Sequence, residues 1–327
     1  MQDKNRLNVA VFGAGAFGRN HLRIYRQLEP RGVHLAAAVD THPARAEALR
    51  QEGLTVFPSP EECFAACRSG RLRLDAVSVC VPTSAHYSVA SQALAQGLDV
   101  LLEKPIAVNL TEADALVQQS AASGRILQVG LLERFNPAVS VAESLLNGPM
   151  FFEAHRLSMF HRRALDVDVV LDLMIHDLDI VLSMVGSPVR QLQAAGLRIL
   201  SSQVDIANVR VEFASGCVAN FTASRVSTET VRKLRFFQPH QYLSIDYARQ
   251  DLLVINVAAG ENGPALAAAK PPVEGGEPLL LEMQAFLESV RTRKPPRVTA
   301  QQARDALALA LDINREIEAH ARRAGLV

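Results

Sequence analysis

The sequence predicts an α/β protein: an N-terminal, doubly wound parallel sheet, followed by a C-terminal α+β domain with a large, mostly antiparallel open sheet. Strand-like and helical segments alternate through the first 130 residues, and Ala76–Val81 has the continuous apolar character of a parallel strand covered on both faces. Beyond Gly130, runs of alternating or β-branched residues follow one another between turn residues, as in an antiparallel meander. We therefore place the domains at residues 1–130 and 131–327, with the C-terminal helix able to pack back on the first domain.

Composition narrows the functional classes. The chain has 327 residues, 49% of them hydrophobic, and a formal net charge of zero, so neither a nucleic acid nor an anionic membrane is expected as a partner. The N-terminal segment has no apolar signal core and no apolar run approaches about 18 residues, so we expect a cytoplasmic protein. The four cysteines are scattered without metal-ligand spacing, so buried thiols are expected and no metal site is predicted.

The stretch VAVFGAGAFGRN, residues 9–20, predicts a strand, a tight turn and the start of a helix. Gly13, Gly15 and Gly18 have G-x-G-x-x-G spacing. In this pattern the first glycine allows the turn, the second lets the backbone approach a pyrophosphate, and the third packs the helix on the strand. The phosphates then lie on free N–H groups at the helix N-terminus. A dinucleotide is therefore the expected ligand.

Asp40 strengthens this prediction. It ends the apolar run 33–39 and follows the last glycine by about 20 residues, the distance expected for the carboxylate that binds an adenosine ribose. Such a carboxylate accepts hydrogen bonds from the ribose diol and repels a 2′-phosphate, so NAD is expected and NADP is less favoured. His42 and Arg45 could weaken that discrimination. The alternative is a glycine turn followed by an unrelated aspartate.

The remaining elements of the first domain continue the alternation. Helices are predicted at 19–28, 43–50, 61–67 and 86–96, and strands at 33–39, 56–57, 76–81, 100–102 and 126–129. Thr111 is predicted to cap a further helix, with Asp114 as a capping-box partner. Ligands of such sheets bind beyond the carboxyl ends of the strands. Besides Gly13 and Asp40, the residues at that edge are Pro82, Lys104 and Gly130.

In the second domain, Asn136 and Pro137 open a helix, an extended segment covers 150–160, and a helix covers 168–185. Strands are predicted at 190–200, 208–213, 217–224, 234–237, 242–246 and 252–255. The segment 260–276, rich in Gly, Ala and Pro, is expected to be a loop. Two helices close the chain at 278–293 and 300–323, and Thr299 and Gln302 form a capping box before the second.

Two groups of residues could carry chemistry. Lys104 lies between a buried strand and Pro105, where its ammonium could act as an acid, a base or a hydrogen-bond donor, although a surface lysine fits the local pattern equally well. Asp172, His176 and Asp179 share one face of a predicted helix at i, i+4 and i+7. A histidine beside carboxylates suits proton transfer. The alternatives are a metal site, for which no third group of ligands is evident, and a histidine satisfied by its helix neighbours.

Together these motifs resemble the glucose-fructose oxidoreductase / inositol dehydrogenase (Gfo/Idh/MocA) family, over nearly the whole chain. The resemblance rests on the VFGAGAFGRNHL start, Asp40, Glu103-Lys104-Pro105 and the D-x-x-x-H-x-x-D helix. It implies hydride transfer between a sugar or polyol carbon and NAD(P). It implies that Lys104, Asp172 and His176 are the catalytic group. The resemblance and the strand-edge positions together predict which residues bind the cofactor: Gly13, Gly15, Ala16, Phe17, Gly18, Asp40, Pro82, Thr83, His86, Glu103 and Lys104.

At the subgroup level, the stretches ERFNP (133–137) and EAHR (153–156) and the run leading into the catalytic helix are similar to nucleotide-sugar 3-dehydrogenases. The implied reaction is oxidation of the 3-OH of a UDP-N-acetylhexosamine. Guanidinium groups suit bidentate contact with its diphosphate, although ordinary surface ion pairing is the alternative for each single arginine. The predicted substrate-binding residues are Arg134, Asn136, Arg156, Arg163 and Asp179.

Three expectations remain open at this level. Instead of a nucleotide sugar, the substrate could be a free sugar or an inositol. The protein could also be a regulator that binds the dinucleotide without turnover, although a regulator needs none of the three catalytic residues. Finally, the second sheet has apolar residues that its helices cannot all cover, so a homodimer or homotetramer is expected.

Overall fold

The computed structural model describes residues 6–160, 167–260 and 263–325. The chain divides into two compact units. Unit 1 contains residues 1–131 and 279–304, and unit 2 contains residues 132–278 and 305–327. Residues 279–304 thus belong to unit 1, whereas the predicted division after residue 130 assigns them to the second domain. No helix in the described part of the chain is both long and apolar enough to cross a membrane.

Unit 1 contains a six-stranded parallel sheet in the order β3-β2-β1-β4-β5-β6. Its strands are β1 (Leu7–Phe12), β2 (Val33–Val39), β3 (Val56–Phe57), β4 (Ala76–Val79), β5 (Asp99–Glu103) and β6 (Leu127–Gly130). The connecting helices are α1 (Ala16–Leu28), α2 (Pro43–Gln51), α3 (Pro60–Arg68), α4 (His86–Ala95) and α5 (Leu110–Ser123). This confirms the predicted parallel sheet.

The direction of winding reverses at β1. This strand pairs with β2 on one side and with β4 on the other, both in parallel. The central strands are buried on both faces, as their apolar runs predicted, and Val9, Val11, Val77 and Val100 are fully inaccessible. A ligand site is expected where the strand order reverses, at the carboxyl ends of β1 and β4.

The chain returns to this sheet near its C-terminus. Helix α8 (Pro278–Thr292) is followed by a segment in which Thr299 forms an antiparallel bridge with Gln128 of β6. The predicted capping box at the start of α9 (Ala300–Arg323) is confirmed, because Gln302 N donates to Thr299 Oγ1 at 3.2 Å and Thr299 N donates to Gln302 Oε1 at 3.0 Å. The cap predicted at Thr111 is wrong, since Asn109 accepts the bond from Glu112 N.

Unit 2 contains an eight-stranded sheet in the order β14-β13-β12-β11-β7-β10-β9-β8. Its strands are β7 (Phe151–Leu157), β8 (Val189–Leu197), β9 (Ile206–Phe213), β10 (Val218–Ser224), β11 (Val231–Gln238), β12 (Gln241–Asp246), β13 (Asp251–Gly260) and β14 (Gly263–Ala269). Only the β7–β10 pair among these is parallel, so the predicted mostly antiparallel sheet is confirmed. Within the segment 260–276, residues 263–269 form β14, so their assignment as a loop is wrong, whereas residues 270–276 form no helix or strand, as predicted.

One face of this sheet carries the core of unit 2. Phe152 and Ala154 of β7 and Phe221 of β10 are buried in one apolar cluster, whereas Glu153 and His155 alternate toward the other face. The core also includes residues of α6 (Pro137–Ser144), of α7 (Ile175–Val185) and of the part of α9 beyond residue 304. These three helices cover the apolar face of the sheet, and α7 is held there by its buried residues.

Candidate active site

The glycine turn after β1 has the close contacts that the motif requires. Gly13 adopts a positive φ of 89°, and a Cβ there would lie 2.6 Å from the Cys80 carbonyl oxygen. A Cβ on Gly18 would lie 1.8 Å from the Gly13 carbonyl oxygen, so no larger residue fits. At Gly15, by contrast, a Cβ would meet no described atom within 4 Å. The turn is thus closed toward the protein and open on the side where a pyrophosphate would lie.

Helix α1 begins directly behind this turn. Gly15 is its N-cap and provides no side-chain cap, so the first N–H groups remain available to an anion. Ala16 and Phe17 occupy the first turn, and the Phe17 side chain is 42% exposed. Gly13, Gly15, Asp40 and Pro82 line one cavity of about 570 Å³ within unit 1. Its size and its uncapped helix end fit the phosphate and adenosine part of a dinucleotide.

Asp40 lies at the end of β2 in the same cavity. Its carboxylate accepts hydrogen bonds from Ala14 N and His42 N, each at 2.8 Å, and from two nitrogens of Arg45 at 3.0 Å. Burial acts to raise the pKa of Asp40, but these hydrogen bonds outweigh it and lower the pKa. Asp40 is therefore a fixed anion, as ribose binding requires, and Arg45 is its direct partner.

The residues after β4 and β5 are connected through His86. Its side chain is buried, with Nδ1 2.7 Å from the Pro105 carbonyl oxygen and Nε2 3.0 Å from the Val81 carbonyl oxygen. Burial lowers the pKa of His86, and these carbonyl contacts oppose that effect. His86 therefore joins the segment before Pro82 and Thr83 to the segment that contains Lys104. This placement indicates a positioning role within the predicted cofactor-binding set.

Glu103 ends β5, and its Oε1 lies 3.0 Å from Nε2 of the buried His21 on α1. The sequence analysis missed His21 because its polar neighbours are far away along the chain. The only sequence signal was its position on the helix that follows the glycine turn. Glu103 and His21 connect that helix to the strand that ends at Lys104.

In unit 2, Asp172 and His176 lie where a π-helical turn (Val170–Met174) passes into α7. Both residues are half-buried. The predicted continuous α-helix over 168–185 is therefore interrupted by a wider turn, a feature that often occurs at functional sites. Asp168 precedes this turn, and its carboxylate accepts hydrogen bonds from Val170 N at 2.9 Å and Leu171 N at 3.0 Å. The turn thus has a hydrogen-bonded start.

Asp179, predicted to bind substrate, is buried beside Arg134. Its Oδ1 accepts a hydrogen bond from Arg134 Nη1 at 3.3 Å, and Arg134 Nε lies 3.5 Å from Glu143 Oε1. Burial raises the pKa of Asp179 to about 7, against the lowering effect of Arg134. The Arg134 guanidinium therefore already has carboxylate partners within unit 2.

Arg156, the second predicted diphosphate ligand, is 4% exposed. It donates to both carboxylate oxygens of Asp177, at 2.7 and 2.9 Å, and to Glu133 Oε1 at 2.8 Å. Its guanidinium carbon lies 5.0 Å from the ring centre of Tyr247. Asn136 donates to the Tyr247 carbonyl oxygen at 3.0 Å and caps α6 through Ala138 N. The structure thus places Arg156 and Asn136 in a buried network that fixes α6 and α7, and Arg163 lies outside the described residues.

The parallel sheet, the closed glycine turn and the fixed carboxylate at Asp40 define a dinucleotide-binding protein of the Rossmann type. A family model described as "Oxidoreductase family, NAD-binding Rossmann fold" matches residues 7–131, and a second model, "GFO/IDH/MocA C-terminal domain", matches residues 142–238. The chain therefore belongs to the Gfo/Idh/MocA oxidoreductase family, as its motifs predicted, and NAD is its cofactor.

Relatives of known activity match over almost the whole chain. UDP-N-acetylglucosamine 3-dehydrogenase of Acidithiobacillus ferrooxidans is 31% identical over 97% of this chain and 99% of its own length. Its solved structure superposes with a TM-score of 0.87 at 30% identity, covering 96% of this chain and 98% of the other. The NAD(+)-dependent scyllo-inositol 2-dehydrogenase of Bacillus subtilis is 26% identical over 90% of each chain.

Proposed function

We propose that the protein oxidises the 3-OH of a UDP-N-acetylhexosamine with NAD as hydride acceptor. The observation that carries this proposal is the 31% identity to UDP-N-acetylglucosamine 3-dehydrogenase over nearly the full length of both chains. A second candidate is oxidation of an inositol or free sugar, because the scyllo-inositol 2-dehydrogenase also matches over 90% of each chain. The two candidates share one type of reaction and differ in the substrate.

Lys104, Asp172 and His176 are proposed as the catalytic group. His176 takes the proton from the reacting hydroxyl, since an imidazole titrates near neutral pH. Lys104 donates a hydrogen bond to the same oxygen, and Asp172 orients the histidine. The bound nicotinamide supplies the hydride acceptor, so the carbon loses a hydride, its oxygen loses a proton, and a ketone results. The cofactor is proposed to contact the cofactor-binding set named from the sequence, with His86 acting through the two backbone segments it joins.

We propose a smaller set of substrate contacts than the sequence alone predicts. Arg134 and Arg156 bind carboxylates within unit 2, and Asn136 caps α6, so we assign these three residues to holding α6 and α7 in place. Arg163 remains the predicted diphosphate ligand. Asp179 is proposed to support the substrate side of α7 together with Arg134. Removal of the nucleotide should then lower the rate, because binding energy from the remote part of a substrate assists the reaction.

The test compares UDP-N-acetylglucosamine, N-acetylglucosamine and myo-inositol by NADH absorbance. We expect a kcat/KM at least tenfold higher for the nucleotide sugar. An equal or higher value for a free compound would reject the nucleotide-sugar proposal, and no turnover with any compound would favour the regulator. His176→Ala and Lys104→Met should each lower kcat by roughly 10² to 10⁴ with little change in NAD affinity. The matched control is His34→Ala, because His34 is a partly exposed histidine outside the proposed site.

We also propose that the protein is a homodimer or homotetramer in the cytoplasm. The outward face of the unit 2 sheet supports this assembly, since a groove of about 680 Å³ crosses it and is lined by residues such as Asn208, Arg210 and Thr222. Two-fold pairing would bring the same face of each copy together. Light scattering that gives the single-chain mass of 35.5 kDa at micromolar concentration would reject the assembly.

A further inference from the structure

A second group of reactive side chains lies inside unit 1, next to the glycine turn. It consists of His21 on α1, Cys80 directly after β4, and Glu103 at the end of β5. One ligand atom from each residue lies within 4.8 Å of the other two. His21 is fully buried and the Glu103 side chain is 12% exposed. An imidazole, a thiol and a carboxylate thus meet in a place with little access to water.

Glu282 on α8 faces the same group. It is fully buried, and neither of its carboxyl oxygens has a hydrogen-bond partner among the described residues. The buried Gln128 side chain on β6 donates to the Glu282 carbonyl oxygen at 3.1 Å, so α8 lies against the strand that pairs with β5, at whose end Glu103 lies. His21 Nδ1 and Gln128 Oε1 likewise have no partner in the described part of the chain. A buried polar group without a partner costs about 1–3 kcal/mol, so this arrangement is incomplete as it stands.

We propose that His21, Cys80, Glu103 and Glu282 form a binding site for a divalent transition metal ion of the zinc type. These four side chains provide one nitrogen, one sulfur and two carboxylates, which are the ligand types that Zn²⁺ takes in four-coordinate sites. Atoms bound to one zinc ion at about 2.0–2.3 Å lie no more than about 4.6 Å apart, so small rotations bring the three grouped ligand atoms onto it. The ion would also offset the negative charge of the buried carboxylates.

The backbone around the group leaves space for it. A Cβ on Gly130 would lie 2.9 Å from Glu103 Oε1, so a larger residue there would displace this carboxylate. A Cβ on Gly18 would lie 3.4 Å from Cys80 Cβ. Cys80 also lines the cavity that contains Gly13 and Asp40, which provides a path for an ion to enter. A bound ion would join α1, the end of β4, the end of β5 and α8 within unit 1.

The sequence analysis predicted only buried thiols because these ligands come from four separate elements. Their positions, 21, 80, 103 and 282, form none of the short spacings by which metal sites are recognised in sequences. The feature that indicates a ligand is visible only in the folded chain, where buried polar groups without hydrogen-bond partners lie close together.

The test begins with the full-length protein purified without chelator, whose zinc content is measured by mass spectrometry. The protein is then treated with a chelator and titrated with Co²⁺, which reports thiolate binding through a charge-transfer absorption band. We expect one metal ion per chain and a band that saturates at one equivalent. Cys80→Ser should abolish the band, and Glu282→Gln should weaken Co²⁺ binding at least tenfold. Cys217→Ser, which removes a buried thiol from unit 2, is the matched control and should leave both results unchanged.

The proposal is overturned if the wild-type protein contains no metal and millimolar Co²⁺ produces no band while circular dichroism shows a folded chain. It is also overturned if Cys217→Ser, rather than Cys80→Ser, removes the band. If Cys80→Ser does not fold, Glu282→Gln decides the matter, because an unchanged Co²⁺ affinity in that variant rejects Glu282 as a ligand. All these measurements are made without sugar or NAD, so they are independent of the proposed dehydrogenase activity.

Discussion

Replacing Arg156 by alanine tests whether this residue stabilises unit 2 or binds substrate. Arg156 is 4% exposed, and its partner Asp177 is 2% exposed, so water cannot replace the three charge-assisted hydrogen bonds that Arg156 makes. Removing one member of such a pair leaves a buried charge without a partner and costs about 3–5 kcal/mol. For a folded unit of 150–250 residues, this corresponds to a fall in melting temperature of roughly 10 °C. We therefore expect a strong loss of stability.

Differential scanning calorimetry and urea unfolding provide the measurement. Arg249→Ala is the control, because Arg249 pairs with Asp246 while 70% exposed and should change the free energy of unfolding by less than about 1 kcal/mol. The double variant Arg156→Ala/Asp177→Ala should lose less stability than the two single variants together, by about 1 kcal/mol or more. The reasoning is refuted if Arg156→Ala melts like the wild type while its KM for the nucleotide sugar rises, since that result would make Arg156 a substrate ligand.

Three further predictions concern the cofactor site and the helix α7. Asp40→Ala should lower the preference for NAD over NADP at least tenfold in calorimetric titrations, because it removes the carboxylate and frees Arg45 for a 2′-phosphate; an unchanged ratio would contradict the role of Asp40. Gly18→Ala should abolish NAD binding or folding, since its Cβ would lie 1.8 Å from the Gly13 carbonyl oxygen. Gly275→Ala serves as the comparison in the same titration, because its Cβ would lie at an ordinary contact distance of 3.5 Å from Gln250 Oε1. The pKa of Asp179 is raised to about 7, so the native state keeps a proton that the unfolded chain releases near pH 4. Stability should therefore fall as the pH rises from about 4 to 7. Urea unfolding of Asp179→Asn should show a weaker fall over this range, and an identical pH profile would reject the assignment.

The parts of the fold that depend on local sequence could be predicted. The glycine turn follows from steric needs within a few residues, and the capping box at Thr299 and Gln302 needs only two side chains three positions apart. The cap at Asn109 shows the limit of such reasoning. Asn109 and Thr111 are both good capping residues, and only the hydrogen bond from Glu112 N distinguishes them.

The features that depend on distant partners could not be predicted. Strand β14 has the sequence GPALAAA, whose small residues have low strand propensity, and it forms through its pairing with β13. The ion pairs of Arg134 and Arg156 have the same origin, since their partners Asp179 and Asp177 are 45 and 21 residues away in sequence. From sequence alone, a guanidinium that binds a carboxylate cannot be distinguished from one that awaits a phosphate.

The π-helical turn before α7 gives these ion pairs a role in the proposed catalysis. A π turn is rare and occurs frequently at functional sites, and here Asp172 lies within the turn while His176 directly follows it. Asp177 and Asp179 follow directly in the same helix, and both are held by buried arginines. The anchored side of α7 therefore stabilises the irregular turn that carries the proposed base. The Arg156 and Arg134 pairs thus hold the helix that continues the π turn, while the hydrogen bonds to Asp168 hold the start of that turn.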